Sequence, residues 1–143
     1  MEEGWRAVPG IICDTNIVVR LLTGDPPVQA RAAAAALDRA AEEGEGVFLA
    51  IVVLAEAAYV LTKTYGVERR AAARGLRELT EHPAVRVPEI DLARESLSLW
   101  TESKLDFADA YLAALARSRP DPRVLSFDRD FDAVPGVERV EPG

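Results

Sequence analysis

"IICDTNIVVR", residues 11–20, sets two apolar runs, 11–13 and 17–19, on either side of Asp14. The stretch reads as a buried strand that ends on a charge. An unpaired buried carboxylate costs several kcal/mol or shifts its pKa until it is neutral, so Asp14 needs a partner where the strand stops.

The chain has 143 residues, the size of one domain with a real core. With 49% apolar and 29% charged residues it has the composition of a soluble globular protein. No run approaches the ~20 apolar residues that span a bilayer, and "MEEGWRAVPG" is too acidic and polar for a targeting segment, so no membrane partner is expected. Cys13 is the only cysteine, which excludes an intramolecular disulfide and fits a reducing, cytoplasmic setting. A net charge of −7 argues against a protein that holds nucleic acid by a broad basic face. It leaves open a nucleic-acid enzyme whose acids are concentrated at a metal. Only Lys63 and Lys104 are lysine; the other basic residues are arginine, whose planar fork suits phosphate. A GC-rich coding bias is the plainer account of the Arg and Ala excess.

Short apolar runs alternate with helical patterns. Strands are expected near 10–14, 47–50, 84–87, 123–127 and 137–140. Helices are expected at 26–44, opened by Pro26 and Pro27 and closed by Gly44, and at 51–66, closed by Gly66. Three more fall at 68–83, 89–103 and 106–120. This alternation means right-handed βαβ units and a parallel sheet covered on both faces. No repeat or linker divides the chain, so residues 10–143 read as a single domain after an N-terminal extension, 1–9, in which Trp5 is the one residue suited to dock on the core.

In a parallel sheet the ligand chemistry gathers at the edge where strands end and helices begin. Asp14 lies at the end of the first strand, and Glu56 in the first two turns of the helix after the second. Asp109 is in the first turn of the helix leading to the fourth strand, and Asp128 follows that strand in "VLSFDRDF". A solvated helix position explains Glu56 or Asp109 taken singly, an N-cap explains Asp106, and a turn cap explains Asp128. Together they make one acidic pocket. Repelling carboxylates need cations, and hard divalent ions, Mg²⁺ or Mn²⁺, suit an all-oxygen set. Zinc does not fit, since His82 and Cys13 are the only soft ligands and lie far apart in sequence. Neither a Ser/His/Asp set nor a Gly-rich phosphate loop is present. Metal-assisted phosphoryl transfer to water is the chemistry left.

"CDTNIVVRLLTGDPP", "VVLAEAAYVL", "DFADAYLAALA" and "SFDRDF" resemble, in this order and spacing, the four signature blocks of the PIN domain, and are most similar to the VapC ribonuclease toxins of toxin–antitoxin pairs. The resemblance implies a three-layer α/β/α sandwich with a five-stranded parallel sheet in the order 3-2-1-4-5. It implies RNA cleavage to a 5′-phosphate and a 3′-hydroxyl. Asp14, Glu56, Asp109 and Asp128 would be the acidic quartet that holds Mg²⁺ or Mn²⁺, with Asn16 in support. Asp14 and Asp109 would ligate the principal metal, Glu56 would complete its shell or orient water, and Asp128 would stand behind them or hold a second metal. Asp106 is a peripheral candidate. Arg20 and Arg129 suit RNA phosphates or a solvated face, and Ser126 suits bracing the pocket or ending a strand. The family also implies a cognate antitoxin, whose tail would enter the acidic groove through an Arg or Lys, and a homodimer, to which Tyr59, Leu97 and Trp100 are suited, although each fits a core equally.

Three other readings share the acids. A phospho-receiver domain also binds Mg²⁺ at strand ends, but it needs an acceptor Asp after the third strand, where this chain has "VRVPEI", and a later lysine, where it offers arginine. A phosphatase of the haloacid dehalogenase type needs Asp where Asn16 stands. An inactive RNA-binding or regulatory PIN-like module is separated by whether cleavage depends on metal.

Overall fold

A computed structural model of the protein describes residues 4–143; the start of the expected 1–9 extension lies outside the described residues. The chain forms two compact units, one ending at Glu89 and one spanning Ile90–Gly143. Each carries strands and helices, and every ladder between strands is parallel, which makes a mixed α/β protein.

In the first unit, β1 (Gly10–Ile12), β2 (Gly46–Phe48) and β3 (Val85–Arg86) form a sheet in the order β1-β2-β3, with Gly10 opposite Gly46 and Val47 opposite Val85. A Cβ on Gly10 would lie 2.4 Å from the Phe48 ring and 2.6 Å from the Gly46 carbonyl, so glycine is what lets the strand approach there. The Phe48 ring also receives Trp5, from the 3-10 turn Gly4–Ala7, at 5.5 Å between centroids. Trp5 thus docks the start of the described chain on β2, as expected.

Four helices surround this sheet. The first has no counterpart among the expected helices. Residues 15–23, between the strand expected near 10–14 and the helix expected at 26–44, form helix α1 (Thr15–Thr23), which packs Val18 and Val19 inward. Asp14 ends the strand because its extended backbone and its side chain start that helix. The strand itself is not buried: Ile11 and Ile12 are 55% and 65% exposed on the edge strand β1. Helix α2 (Pro27–Glu43) begins on Pro27, whose missing N–H costs nothing in the first turn, and stops at Gly44 in the left-handed region (φ 69°). It buries Ala33, Leu37 and Ala40, one stripe at helical spacing.

The helix expected over 51–66 divides. Helix α3 (Ile51–Tyr59) passes into a π-helical turn, Val60–Thr64, closed by Tyr65 N–H donating to the Val60 carbonyl at 3.1 Å. Thr62 Oγ1 donates to the Ala58 carbonyl at 2.8 Å, a local bond of the kind that loosens a helical ladder. Helix α4 (Arg69–Thr80) is capped by the Glu68 carboxylate on the Arg70 and Ala71 amides, and it ends before the expected Pro83.

In the second unit, α5 (Ile90–Glu102) and α6 (Phe107–Arg117) pack along one another, with Trp100 edge-on to Phe107 at 5.8 Å. Leu97 and Trp100, 1% and 3% exposed, are core residues of this unit rather than surface for a partner. The Arg117 guanidinium pairs with Glu95 and donates to the Pro135 carbonyl, which ties the end of α6 to α5 and to the turn at Gly136. Strands β4 (Arg123–Leu125) and β5 (Glu138–Val140) form a parallel pair. The expected order 3-2-1-4-5 thus has its 3-2-1 pairings in the first unit and its 4-5 pairing in the second. Among the described residues no helix is long and apolar enough to cross a membrane.

Candidate active site

Each unit sets acidic side chains where its parallel strands end. In the first unit the strand-to-helix switch after β1 places Asp14 at the N-cap of α1, with φ −89° and ψ 156°. Its Oδ1 accepts the Thr15 amide at 2.8 Å. Thr15 is buried, and its hydroxyl donates to Glu56 Oε1 on α3. One residue therefore holds two carboxylates, one through its amide and one through its hydroxyl, across a separation of 41 residues in sequence. No hydrogen bond among the described residues engages the other oxygen of Asp14 or of Glu56. Thr15 was not among the expected site residues. Its signal is the position beside Asp14, but only the fold shows that its hydroxyl crosses to α3.

The neighbours of this pair are inert. Burial, and then the charge of Asp14, push the Cys13 thiol up, so it is a packed thiol and not a nucleophile. Asn16 is exposed on the first turn of α1. Arg20 Nε donates to Gln29 Oε1 of α2 at 2.8 Å. His82 accepts the Ala84 amide on Nδ1 at 3.0 Å and faces Asp38 of α2 with Nε2 at 3.4 Å.

The second unit is built differently. Asp106 is the N-cap of α6 in backbone terms, with φ −66° and ψ 164°, but its side chain makes no capping hydrogen bond. Asp109 is half-buried in the first turn. Its carboxyl is pushed up, first by burial, then by the charge of Asp128 and then by that of Asp106. The charges that act on it within this unit are negative, so ionisation is opposed and a cation is favoured.

Asp128 caps the 3-10 turn Arg129–Ala133, its Oδ1 accepting the Asp130 amide at 2.9 Å. Its own amide donates to Ser126 Oγ at 2.9 Å, so Ser126 braces the loop that carries the acid. Behind the loop, Arg139 on β5 donates to the Ser126 carbonyl at 3.1 Å and to Asp132 and Glu141 at 2.9 and 2.8 Å. The guanidinium holds the Asp132 carboxyl below its ordinary range, with a smaller contribution from the exposed Arg129. Arg139 was also missed. In "GVERV" it reads as one more polar residue of a short strand, and its purpose appears only when the loop lies beside it.

Among the described residues no three His, Cys, Asp or Glu side chains are grouped as a metal site. The donor chemistry nevertheless fits a hard divalent cation. Every acid is an oxygen ligand, the soft candidates Cys13 and His82 are engaged elsewhere, and Asp109 stands among like charges.

Compared with models of protein families, residues 11–137 match the PIN domain. A search of curated proteins finds no match to the chain.

Proposed function

The chain belongs to the PIN domain family, whose members are typically nucleases that use divalent metal ions, and from that premise we propose that it is a Mg²⁺- or Mn²⁺-dependent endoribonuclease. The observation that carries this reading is the Thr15 bridge, which fixes Asp14 and Glu56 while leaving each an unengaged oxygen. Asp14, Glu56, Asp109 and Asp128 would hold the ion. When bound, it would supply the charge that activates water and neutralises the phosphate under attack. The protein's own part is positional. Asp14 and Glu56 are held by hydrogen bonds of the protein itself, and Asp109, whose ionisation burial and its acidic neighbours oppose, would gain from a cation.

The family match spans both compact units, which supports one functional domain over 10–143. The finer assignment is a toxin of the VapC type, acting in the cytoplasm on RNA and restrained by a cognate antitoxin that places a basic side chain among the acids. A homodimer belongs to the same reading; of the residues suited to it, Tyr59 alone is exposed.

The test is cleavage of RNA by the purified protein freed of any partner. Cutting in Mg²⁺ or Mn²⁺, cessation in EDTA and no rescue by Zn²⁺ are expected. Cutting that continues unchanged in EDTA removes the metal-dependent reading. A monomeric mass by light scattering at tens of micromolar removes the dimer.

A further inference from the structure

We infer that Tyr59 and Lys63 form a landing strip for single-stranded RNA beside the acids, Tyr59 stacking on a base and Lys63 meeting a phosphate; this rests on the ribonuclease reading and names how the substrate is held. Glu56, Tyr59 and Lys63 follow one another at helical spacing, so they lie along one face of α3 and its π-helical extension. All three are exposed. With ~1.5 Å of rise per residue, the Cα atoms of Glu56 and Tyr59 are offset by about 4.5 Å along the axis, within one helical turn.

The two side chains have no structural task. Tyr59 is 65% exposed, and among the described residues its side chain makes neither a hydrogen bond nor a ring contact, the Thr62 hydroxyl donating only to its backbone carbonyl. Lys63 has no ion pair among them, and it is one of only two lysines in a chain of net charge −7. Val52, 73% exposed and one turn before Glu56, extends the same stripe with apolar surface. An aromatic face next to an unpaired cation is what sequence-tolerant single-strand binding uses, since every base offers a π-face and every linkage a phosphate. Charge complementarity points to a polyanion: in a chain of net charge −7, Lys63 is a cation with no ion pair among the described residues.

The experiment is fluorescence anisotropy of a labelled ten-nucleotide single-stranded RNA in EDTA, which reads binding without cleavage. Y59A is expected to weaken binding at least about fivefold, Y59W to retain it, and K63A to weaken it and to reduce the dependence on salt. An RNA with an abasic site at the stacked position should bind wild type and Y59A alike. Equal affinity of wild type and Y59A for intact RNA overturns the inference, as does a fall that is the same with abasic RNA at every position. A change of mass in Y59A by light scattering, with RNA affinity unchanged, assigns the face to a second copy and overturns it too. Failure of the wild type to cut RNA would remove the ribonuclease reading, while the binding comparison would still decide the fate of the strip.

Discussion

The two units hold their acids by opposite means. In the first, Asp14 and Glu56 are held in place by donors that Thr15 supplies, its amide and its buried hydroxyl. In the second, Asp109 is half-buried beside Asp128 and Asp106 and is pushed toward its neutral form. One half is braced; the other is strained by like charge. Positions that fix geometry and positions that create demand for charge need not be the same, and here they are divided between segments distant in sequence.

Asp109→Asn should break the comparison most deeply. It keeps the shape and removes the charge under strain, so the melting temperature in EDTA should stay or rise. If Asp109 holds the ion as proposed, the same change deletes a metal ligand, and cleavage should fall more than the ~10–100-fold that follows loss of a residue that merely orients a ligand. Mg²⁺ should then stabilise the wild type more than the variant, since an ion that binds only the folded state adds stability by mass action. An Asp109 that serves its helix alone would give the reverse: a lower melt in EDTA and equal responses to Mg²⁺.

Thr15→Val tests the braced half. Valine nearly matches the shape of threonine and keeps the amide that Asp14 accepts, but Glu56 loses its donor. Metal-dependent activity should drop by about 10–100-fold, and Thr15→Ser should recover much of it. Equal activity in all three proteins would mean that Glu56 needs no positioning.

The difference between these residues also explains what could be read from the sequence. The acids were legible because each sits at a punctuated junction of an apolar run, where a carboxylate is conspicuous. The helices at 27–43 and 107–117 were legible through Pro27, Gly44 and their apolar spacing. Helix α1 was not, because Ile17, Val18 and Val19 are β-branched and follow an apolar strand, so local preference reads as more strand. Only the capping role of Asp14 reverses it. Thr15 and Arg139 were illegible for another reason. Each acts on a group brought to it by tertiary structure, and nothing in its own segment records the partner.

A third, smaller effect is in the pH dependence of stability without metal. The folded-state pKa of Asp109 is raised, so between its unfolded and folded values the native state binds more protons than the unfolded chain. Stability from this group is present below the unfolded value and is lost as pH rises through the folded one. The gap by which Asp109→Asn exceeds wild type in EDTA should therefore close as pH falls through that range. Denaturant melts across pH 4–7, on the order of the ordinary carboxylate range and above it, decide the point. A gap independent of pH would mean that the carboxylate of Asp109 is not what the second unit strains.

Ser126→Ala carries the smallest expected effect, and it asks whether the strained half has any bracing. The hydroxyl of Ser126 accepts the Asp128 amide, but the backbone of Ser126 is held independently, by its amide on the Val140 carbonyl and its carbonyl under Arg139. Asp128 keeps its own bond to the Asp130 amide. Its amide lies at an exposed loop residue, so water can replace the lost partner, and the cost to stability should be at most about 1 kcal/mol, the net worth of an ordinary hydrogen bond. Activity should fall by a few-fold, well short of Thr15→Val, because no second carboxylate depends on Ser126. If Ser126→Ala instead matched Thr15→Val in activity at unchanged melting temperature, the loop at 126–128 would be as tightly positioned as the first unit's pair. The contrast between a braced half and a strained half would then give way to two braced halves, one of which also carries surplus charge.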